Sequence, residues 1–443
     1  MKSVVTFYIL LFSTVINAQC FQKVSVGYEH TLVIKDDGTL WGWGDNNAGT
    51  MGTGSITAHY YVPIQIGTAN DWVKVFAGTG RTSFAIKANG TLWAWGDGVG
   101  GRLGFGNQNT IYVPTQLGTD NDWDFIASGS CTIARKTNGT LWGWGSNIYG
   151  QLNLGTNSIQ LTPVQISTQT DWNKIVCGDN HVLLIKNNGT LWASGLNDYG
   201  QLGNGTYTNK SFFTQIGTDT DWVEIAAEFK HSVAIKSNGT LWGWGTNINE
   251  VLGFPSMVSS VTVPTQLGTD NNWFKVDTGY YATKAIKTNG TLWYITPSGN
   301  QQIATDNDWN FIDSGQSYFF VMKPNGTLWG VGGNDYGQLG LGQAIQGTQI
   351  PTQLNCSALL NIDENNLNNH FSIYPNPTNE FLFISNSSNL IIEKISITDL
   401  TGKLIFEEKK FLSRIDIQSF QNGIYILSLT SENKIYNYKI VKQ

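Results

Sequence analysis

Apolar and polar positions alternate in short runs along most of this chain, and the runs return at a fixed interval. One copy shows the pattern. Trp222-Val-Glu-Ile-Ala-Ala is followed by Ser232-Val-Ala-Ile-Lys236, the pair Asn238-Gly239, and Thr240-Leu-Trp-Gly-Trp-Gly245. Asn-Gly between two apolar runs predicts a β-hairpin, because a type I′ turn needs positive φ at both central residues. The pair recurs at 89–90, 138–139, 188–189, 289–290 and 325–326, and Asp37-Gly38 replaces it in the first copy. A longer loop follows each hairpin, often Asn-x-x-Gly-Gln-Leu, as in Asn147 to Leu152 and Asn197 to Leu202. A short strand such as Pro114 to Leu117 then closes the copy, giving four strands per unit.

Gly-Thr-Leu-Trp marks the copies, ending at Trp41, Trp93, Trp142, Trp192, Trp242, Trp293 and Trp329, at intervals of 52, 49, 50, 50, 51 and 36 residues. A period near 50 with strand content means one supersecondary unit copied around a ring or along a stack. Seven four-stranded units predict an all-β fold, a seven-bladed β-propeller, within the usual range of blade numbers. All 17 Trp fall inside the repeat, as blade-to-blade packing. The sixth copy departs: after Trp293 the chain reaches Trp309 in 16 residues and lacks the Gly-Gln-Leu-Gly loop, so that blade is expected to leave a notch.

Composition sharpens the picture in two places. Charged residues make up 13% and Gly numbers 50, which suits tight-turned β structure and not disorder. The net charge of −6 gives no electrostatic case for binding nucleic acid or an anionic membrane. Lys2, the apolar stretch Val4 to Ile16 and Asn17-Ala18-Gln19 read as a secretory signal peptide over residues 1–18. No later segment approaches the ~20 apolar residues that would span a bilayer, so the chain is not expected to be transmembrane.

Candidate chemistry is sparse. His30, His181 and His231 hold one repeat position, which Cys131 takes in the third copy. A position belonging to the repeat argues for hydrogen-bonded structural imidazoles rather than metal ligands. Asp120 with Asp122, Asp219 with Asp221, and Asp306 with Asp308 recur in the turns between copies, where Asp bonds its own backbone. No nucleophile elbow, zinc motif or phosphate loop is present, so no catalytic residue, metal or cofactor is assigned. Of the four Cys, Cys20 and Cys356 fall at the two ends of the repeat array, where an internal junction would otherwise run. A Cys20–Cys356 disulfide stapling the ring is expected, with Cys131 and Cys177 as buried thiols.

The units resemble repeats of the regulator of chromosome condensation family. Gly27-Tyr-Glu-His30-Thr31 and Gly332-Gly-Asn334-Asp-Tyr-Gly337-Gln-Leu-Gly340 carry the likeness, over roughly 20–356. The resemblance implies a seven-bladed propeller. It does not imply the nucleotide-exchange activity of the nuclear founder, and the family includes secreted bacterial binders that inhibit enzymes through one face. After Cys356 the composition shifts. Residues 357–370 read as a linker, and 371–443 as a small β-sandwich of alternating strands. Tyr374-Pro-Asn-Pro377, Asp399-Leu-Thr-Gly402, Asn422-Gly423-Ile-Tyr425 and Lys439-Ile-Val-Lys442 resemble the C-terminal sorting domain of type IX secretion substrates of the Bacteroidetes. That resemblance implies recognition by the secretion machinery, and a secreted or surface location. The propeller is accordingly assigned residues 19–356.

Scaffold positions repeat, so positions that differ between copies are where a binding face is written. One such set is Tyr28, Glu29, Arg81, Asp179, Asn180, Phe229, Lys230, Tyr280 and Tyr281. A second, in the longer loops, is His59, Tyr60, Tyr61, Phe105, Tyr112, Tyr207, Phe212 and Phe213. The function expected is non-enzymatic recognition of an extracellular protein or glycan. A hydrolase inhibitor and a polysaccharide-active enzyme using Asp122 or Asp308 stand as alternatives.

Overall fold

The computed structural model describes residues 21–354 except 56, and 371–442 except 376–377, 387–389, 400–402 and 432–433. The expected signal peptide, the linker and both Cys20 and Cys356 lie outside the described residues. The chain divides into two compact units, Met1–Asn355 and Cys356–Gln443.

The first unit is seven four-stranded antiparallel sheets, each built from consecutive strands in the order first, second, third, fourth. The fifth blade, Trp222–Glu228, His231–Lys236, Leu241–Thr246 and Ser260–Gln266, is typical. Each first strand packs against the first strand of the next blade, and that of blade 7 (Phe311–Ser314) packs against that of blade 1 (Phe21–Val26). The ring therefore closes, with first strands around the axis and fourth strands outside. Its core lies between blades. Val233, Leu241 and Leu252 of blade 5, for example, cluster with Trp273, Val276 and Ala285 of blade 6.

The repeat motifs have local causes. The Asn-Gly hairpins form, but not as the type I′ turn expected: only the Gly of each pair has positive φ, and in Asn-Gly-Thr-Leu-Trp the Asn carboxamide holds the turn. Asn89 Oδ1 accepts from Thr91 N and Oγ1 at 3.1 and 2.7 Å, and Thr91 Oγ1 accepts from Trp93 Nε1 at 3.1 Å. The Gly of the pair has no room for a side chain. Gly239 sits at φ +77°, and a Cβ there would lie 2.2 Å from Asn271 O. In the longer loops Asn147, Asn197 and Asn334 accept the amide of the Leu five residues on, at 2.8–2.9 Å. The carbonyl next to that Leu then receives an indole from the following blade. Trp244 Nε1 donates to Gln201 O at 2.8 Å and Trp43 Nε1 to Gln338 O at 2.9 Å, the latter from blade 1 to blade 7.

Blade 6 is the exception the sequence points to. Its third strand stops at Tyr294 and its fourth is Gln301–Gln302 alone. Blade 7 carries Val331 where a donating Trp would stand, since no loop is there to accept it.

The second unit pairs a three-stranded sheet, Phe371–Tyr374, Phe381–Asn386 and Arg414–Asp416, with a four-stranded one, Lys394–Asp399, Leu404–Glu408, Gly423–Ser431 and Lys434–Lys442. Leu382, Ile384 and Ile415 of one meet Ile395, Ile397, Leu427 and Leu429 of the other in a shared core, a small β-sandwich.

Candidate functional site

Antiparallel order fixes which segments share a face. Strands run up, down, up and down, so the turn after each first strand and the loop after each third strand leave at one end. The Asn-Gly hairpins and the acidic junctions leave at the other. The first set of variable residues, in the turns after the first strands, therefore belongs to one face. All five described non-glycine residues with positive φ are there too: Arg81, Asn153, Phe229, Asn249 and Glu250. Such backbone costs of order 1–3 kcal/mol each and gathers where geometry serves binding or switching.

On this face the candidate residues form two groups. Around blades 1 and 2, Arg81 reaches Glu29 at 3.4 Å and Asp45 at 3.8 Å, and its guanidinium lies 5.4 Å from the centre of the Tyr28 ring. His59 meets Asp45 at 3.4 Å and the Tyr336 ring at 5.2 Å. Burial lifts the Glu29 carboxyl above its usual range against the opposing pull of Arg81. Around blades 4 to 6, Phe229, Tyr280 and Tyr281 form a continuous shelf, with ring centres 4.5 and 4.8 Å apart. Lys230 caps its edge, 4.3 Å from the centre of Tyr199 and 5.1 Å from that of Phe229. Tyr281 is 53% exposed. Asp179 and Asn180 lie half-buried in the turn of blade 4.

The second set is divided by the structure. His59, Tyr60, Tyr61, Tyr112, Phe212 and Phe213 lie on outer fourth strands, where Tyr112 and Phe212 are exposed and Phe213 packs on Trp172 at 5.4 Å. Phe105 joins the core between blades 2 and 3. Tyr207 remains exposed in its loop.

The histidines are structural. His181 Nε2 meets Ser232 Oγ at 2.9 Å and His30 Nε2 meets Ser83 Oγ at 3.2 Å, each in the next blade, and His231 bonds Thr278 likewise. They tie neighbouring blades. Burial drives all three imidazoles down to about 3. The junction acids are taken up on the opposite face. Lys136 bridges Asp120 and Asp122 at 2.7 and 3.0 Å while lying 4.9 and 4.7 Å from the ring centres of Trp123 and Trp142. Lys236 and Lys323 repeat the arrangement with Asp219 and Asp221, and with Asp306 and Asp308. Cys131 and Cys177 are free, buried thiols.

A group the sequence reading did not single out lines the channel mouth. Glu228, Asp277 and Asp313 lie at or near the upper ends of the first strands of blades 5, 6 and 7, and Lys284 stands on the second strand of blade 6. Burial and neighbouring carboxylates raise Glu228 and Asp313 well above the usual range; burial raises Asp277 to about 6 and lowers Lys284 to about 8. The signal available was Lys284, a charge in a run that is apolar in the other copies.

Comparison with known proteins agrees with this architecture. The chain matches the regulator of chromosome condensation (RCC1) repeat at 37–85, 89–131, 138–185 and 188–235, with a second form of the repeat at 21–50 and 172–201. Residues 372–443 match the secretion system C-terminal sorting domain. Among curated proteins it is similar to the ultraviolet-B receptor UVR8 of Arabidopsis thaliana, 34% identical over 85 residues, 19% of each chain. It is also similar to the RCC2 homolog of Xenopus laevis, 37% identical over 90 residues, 20% of this chain and 17% of that one. The chain thus spans less than a fifth of the length of these relatives. Among solved structures, human WBSCR16 superposes with a TM-score of 0.63 at 19% identity, over 72% of this chain and 94% of that one. Prp20p of Saccharomyces cerevisiae gives 0.52 at 19% identity, over 79% and 78%. No described helix is long and apolar enough to cross a membrane.

Proposed function

We propose that this chain, a propeller of regulator of chromosome condensation repeats carrying a type IX secretion sorting domain, is an exported, non-catalytic binding module that recognises an extracellular protein or glycan. The sorting domain addresses it to the cell surface or the extracellular space. The observation that carries the binding reading is the gathering of variable, aromatic and strained residues on one face, while the opposite face is spent on repeated hairpins and lysine–aspartate pairs. The Phe229–Tyr280–Tyr281 shelf has the composition of an interface anchor, since Tyr with Arg dominates binding hot spots. We place the contact surface on Tyr28, Glu29, Arg81, Asp179, Asn180, Phe229, Lys230, Tyr280 and Tyr281.

The test is capture on the immobilised mature chain of culture-supernatant proteins, host extracellular proteins and a glycan array. The expected result is one saturable partner, lost in a Y280A/Y281A variant whose thermal unfolding is unchanged. Retention of that partner by the variant overturns the placement, and absence of any partner overturns the module reading for those samples. Inhibition of a secreted hydrolase is the same reading with a named partner, and would show as tight one-to-one binding.

A further inference from the structure

The channel of this propeller handles its acids in two ways. In its lower part each carboxylate is matched. Asp124 is held by Lys74 at 2.5 Å and Arg135 at 2.7 Å, and Glu224 by Lys174 at 3.1 Å and Lys275 at 2.8 Å. At the mouth this stops. Glu228, on the same strand as Glu224 and 4% exposed, makes no side-chain hydrogen bond or ion pair with any described residue. Asp277 Oδ2 is sealed from water without a hydrogen-bond partner. Asp179, Asp277 and Asp313 have no ion pair within 4.0 Å among the described residues; Asp313 accepts only backbone amides, and Thr278 and Ser314 are the groups that favour the Asp277 carboxylate besides Lys284.

These groups converge on the axis. Glu228 of blade 5 feels Asp179 of blade 4 and Asp277 of blade 6, Asp277 acts on Asp313 of blade 7, and both Asp179 and Glu228 act on Tyr28 of blade 1. The charges opposing them are Lys284, which attracts Asp277 and Glu228 from beyond ion-pair distance, and Lys230 and Arg102, which act on Asp179. His231, buried beside them, is neutral above about pH 3. Burying the Glu228 carboxyl with no bonded counter-charge is costly.

Lys284 is itself anomalous. In strand register it occupies the position of Leu32, Phe84, Ile133, Leu183, Val233 and Phe320 in the other six blades, each fully or nearly fully buried and apolar. It is 5% exposed, forms no ion pair or hydrogen bond with any described residue, and its ammonium lies 5.3 Å from the centre of the Phe319 ring. Phe229, next in the chain after Glu228, meets Tyr280, three residues after Asp277, at 4.5 Å between ring centres, and such ring faces attract cations. The acids do not approach closely enough to share a metal ion among the described residues. Carboxylates too far apart to share one ion are better reached by a cation that donates hydrogen bonds at several points, as a guanidinium does.

We infer that the mouth of the channel is a pocket for a cationic side chain, a guanidinium or ammonium presented by a protein partner, with Glu228 and Asp277 as its counter-ions, the Phe229–Tyr280 shelf as its lip and Lys284 as the resident charge that holds the pocket until it is filled. This rests on the binding reading of the same face and specifies the chemistry of what enters. Burial favours the protonated form of Glu228 and lifts Asp277 to about 6, so an entering cation, which favours the carboxylates, releases protons, and affinity rises as pH rises through about 6.

The test is calorimetric titration of the full chain with N-acetyl-arginine amide and with its uncharged analogue N-acetyl-citrulline amide. The expected result is arginine binding with proton release, measured from the dependence of the heat on buffer ionisation, and no binding of citrulline. E228Q should weaken binding by about tenfold or more, the scale of a lost hydrogen bond to a charged group. K284L, restoring the apolar residue of the other blades, should strengthen it severalfold; D277N stands in should E228Q misfold. Equal binding of citrulline, no binding of arginine at pH 8, or unchanged affinity in E228Q and D277N would each overturn the inference. A small-ligand titration needs no natural partner, so its failure is separable from a failed capture.

Discussion

At the scale of single residues, this propeller keeps its ionisable groups in three distinct conditions. His30, His181 and His231 are neutral cross-ties between blades, with folded values of about 3. The unfolded chain titrates these imidazoles near 6.5 and so takes up protons first as pH falls. Their stabilisation is complete above 6.5 and is lost progressively from there toward 3, by at most about 1.4 kcal/mol per pH unit for each. Denaturant midpoints measured from pH 7 to 4 should fall steeply, and a H30Q/H181Q/H231Q variant should flatten that limb. The buried acids act in the opposite sense. Glu228 is raised well above its usual range, so its contribution is present at low pH and lost as pH rises. E228Q should therefore raise the unfolding temperature at pH 8, by the equivalent of about 1 kcal/mol or more, and leave it nearly unchanged at pH 4. Equal effects at both pH values would mean that Glu228 is not held protonated by the fold.

At the scale of the element, each blade is a hairpin, a loop and an outer strand, and each motif has one mechanical task. Gly239 has positive φ and a backbone oxygen against its α-carbon. G239A should cost about 1 kcal/mol from φ strain alone, and more from the contact, read as a shift in denaturant midpoint. The indole–loop bond is the joint between blades. W244F would remove one of the two donors to Gln201 O, leaving Ser232 Oγ at 2.8 Å, at a cost of about 0.5–1.5 kcal/mol. The same change has no counterpart in blade 7, where Val331 already fills the place and the preceding loop is absent. The hairpins, the loops and the shortened sixth blade were all readable in the sequence, because each is written in a few neighbouring residues. The part of the lysines was not. Nothing in the spacing says that Lys136 lies between two indoles and two aspartates drawn from separate strands.

At the scale of the molecule, the ring closes by packing, since every blade is built from one continuous stretch and no strand is shared across the seam. Tyr318 is central to that closure. Its hydroxyl donates to His30 O at 2.7 Å and lies 3.2 Å from Thr31 Oγ1, both in blade 1. Y318F should lower stability by about 1–2 kcal/mol and make the seam amides the first to exchange with solvent. A Cys20–Cys356 disulfide is the covalent complement we propose there from the sequence. On that proposal, reductant lowers the unfolding temperature of the wild type and not of C20S, with up to about 4–5 kcal/mol at stake for so long a loop. An equal response from both proteins would remove the staple.

The sequence alone determined the repeat, the blade count, the anomalous sixth copy and the separate tail, because these follow from local turn chemistry and strand alternation, which need no partner outside the copy. It also marked the variable positions, Tyr28 to Tyr281, which we propose as the place of recognition. Only the tertiary structure decided which of them meet. The shelf of Phe229, Tyr280 and Tyr281 joins two blades some 50 residues apart, and Arg81 turns back across the seam between blades 1 and 2. The acid group at the channel mouth was beyond the sequence for the same reason: Glu228, Asp277 and Asp313 are ordinary residues near strand ends, and Asp179 an ordinary turn residue, until closure of the ring brings four blades to one axis.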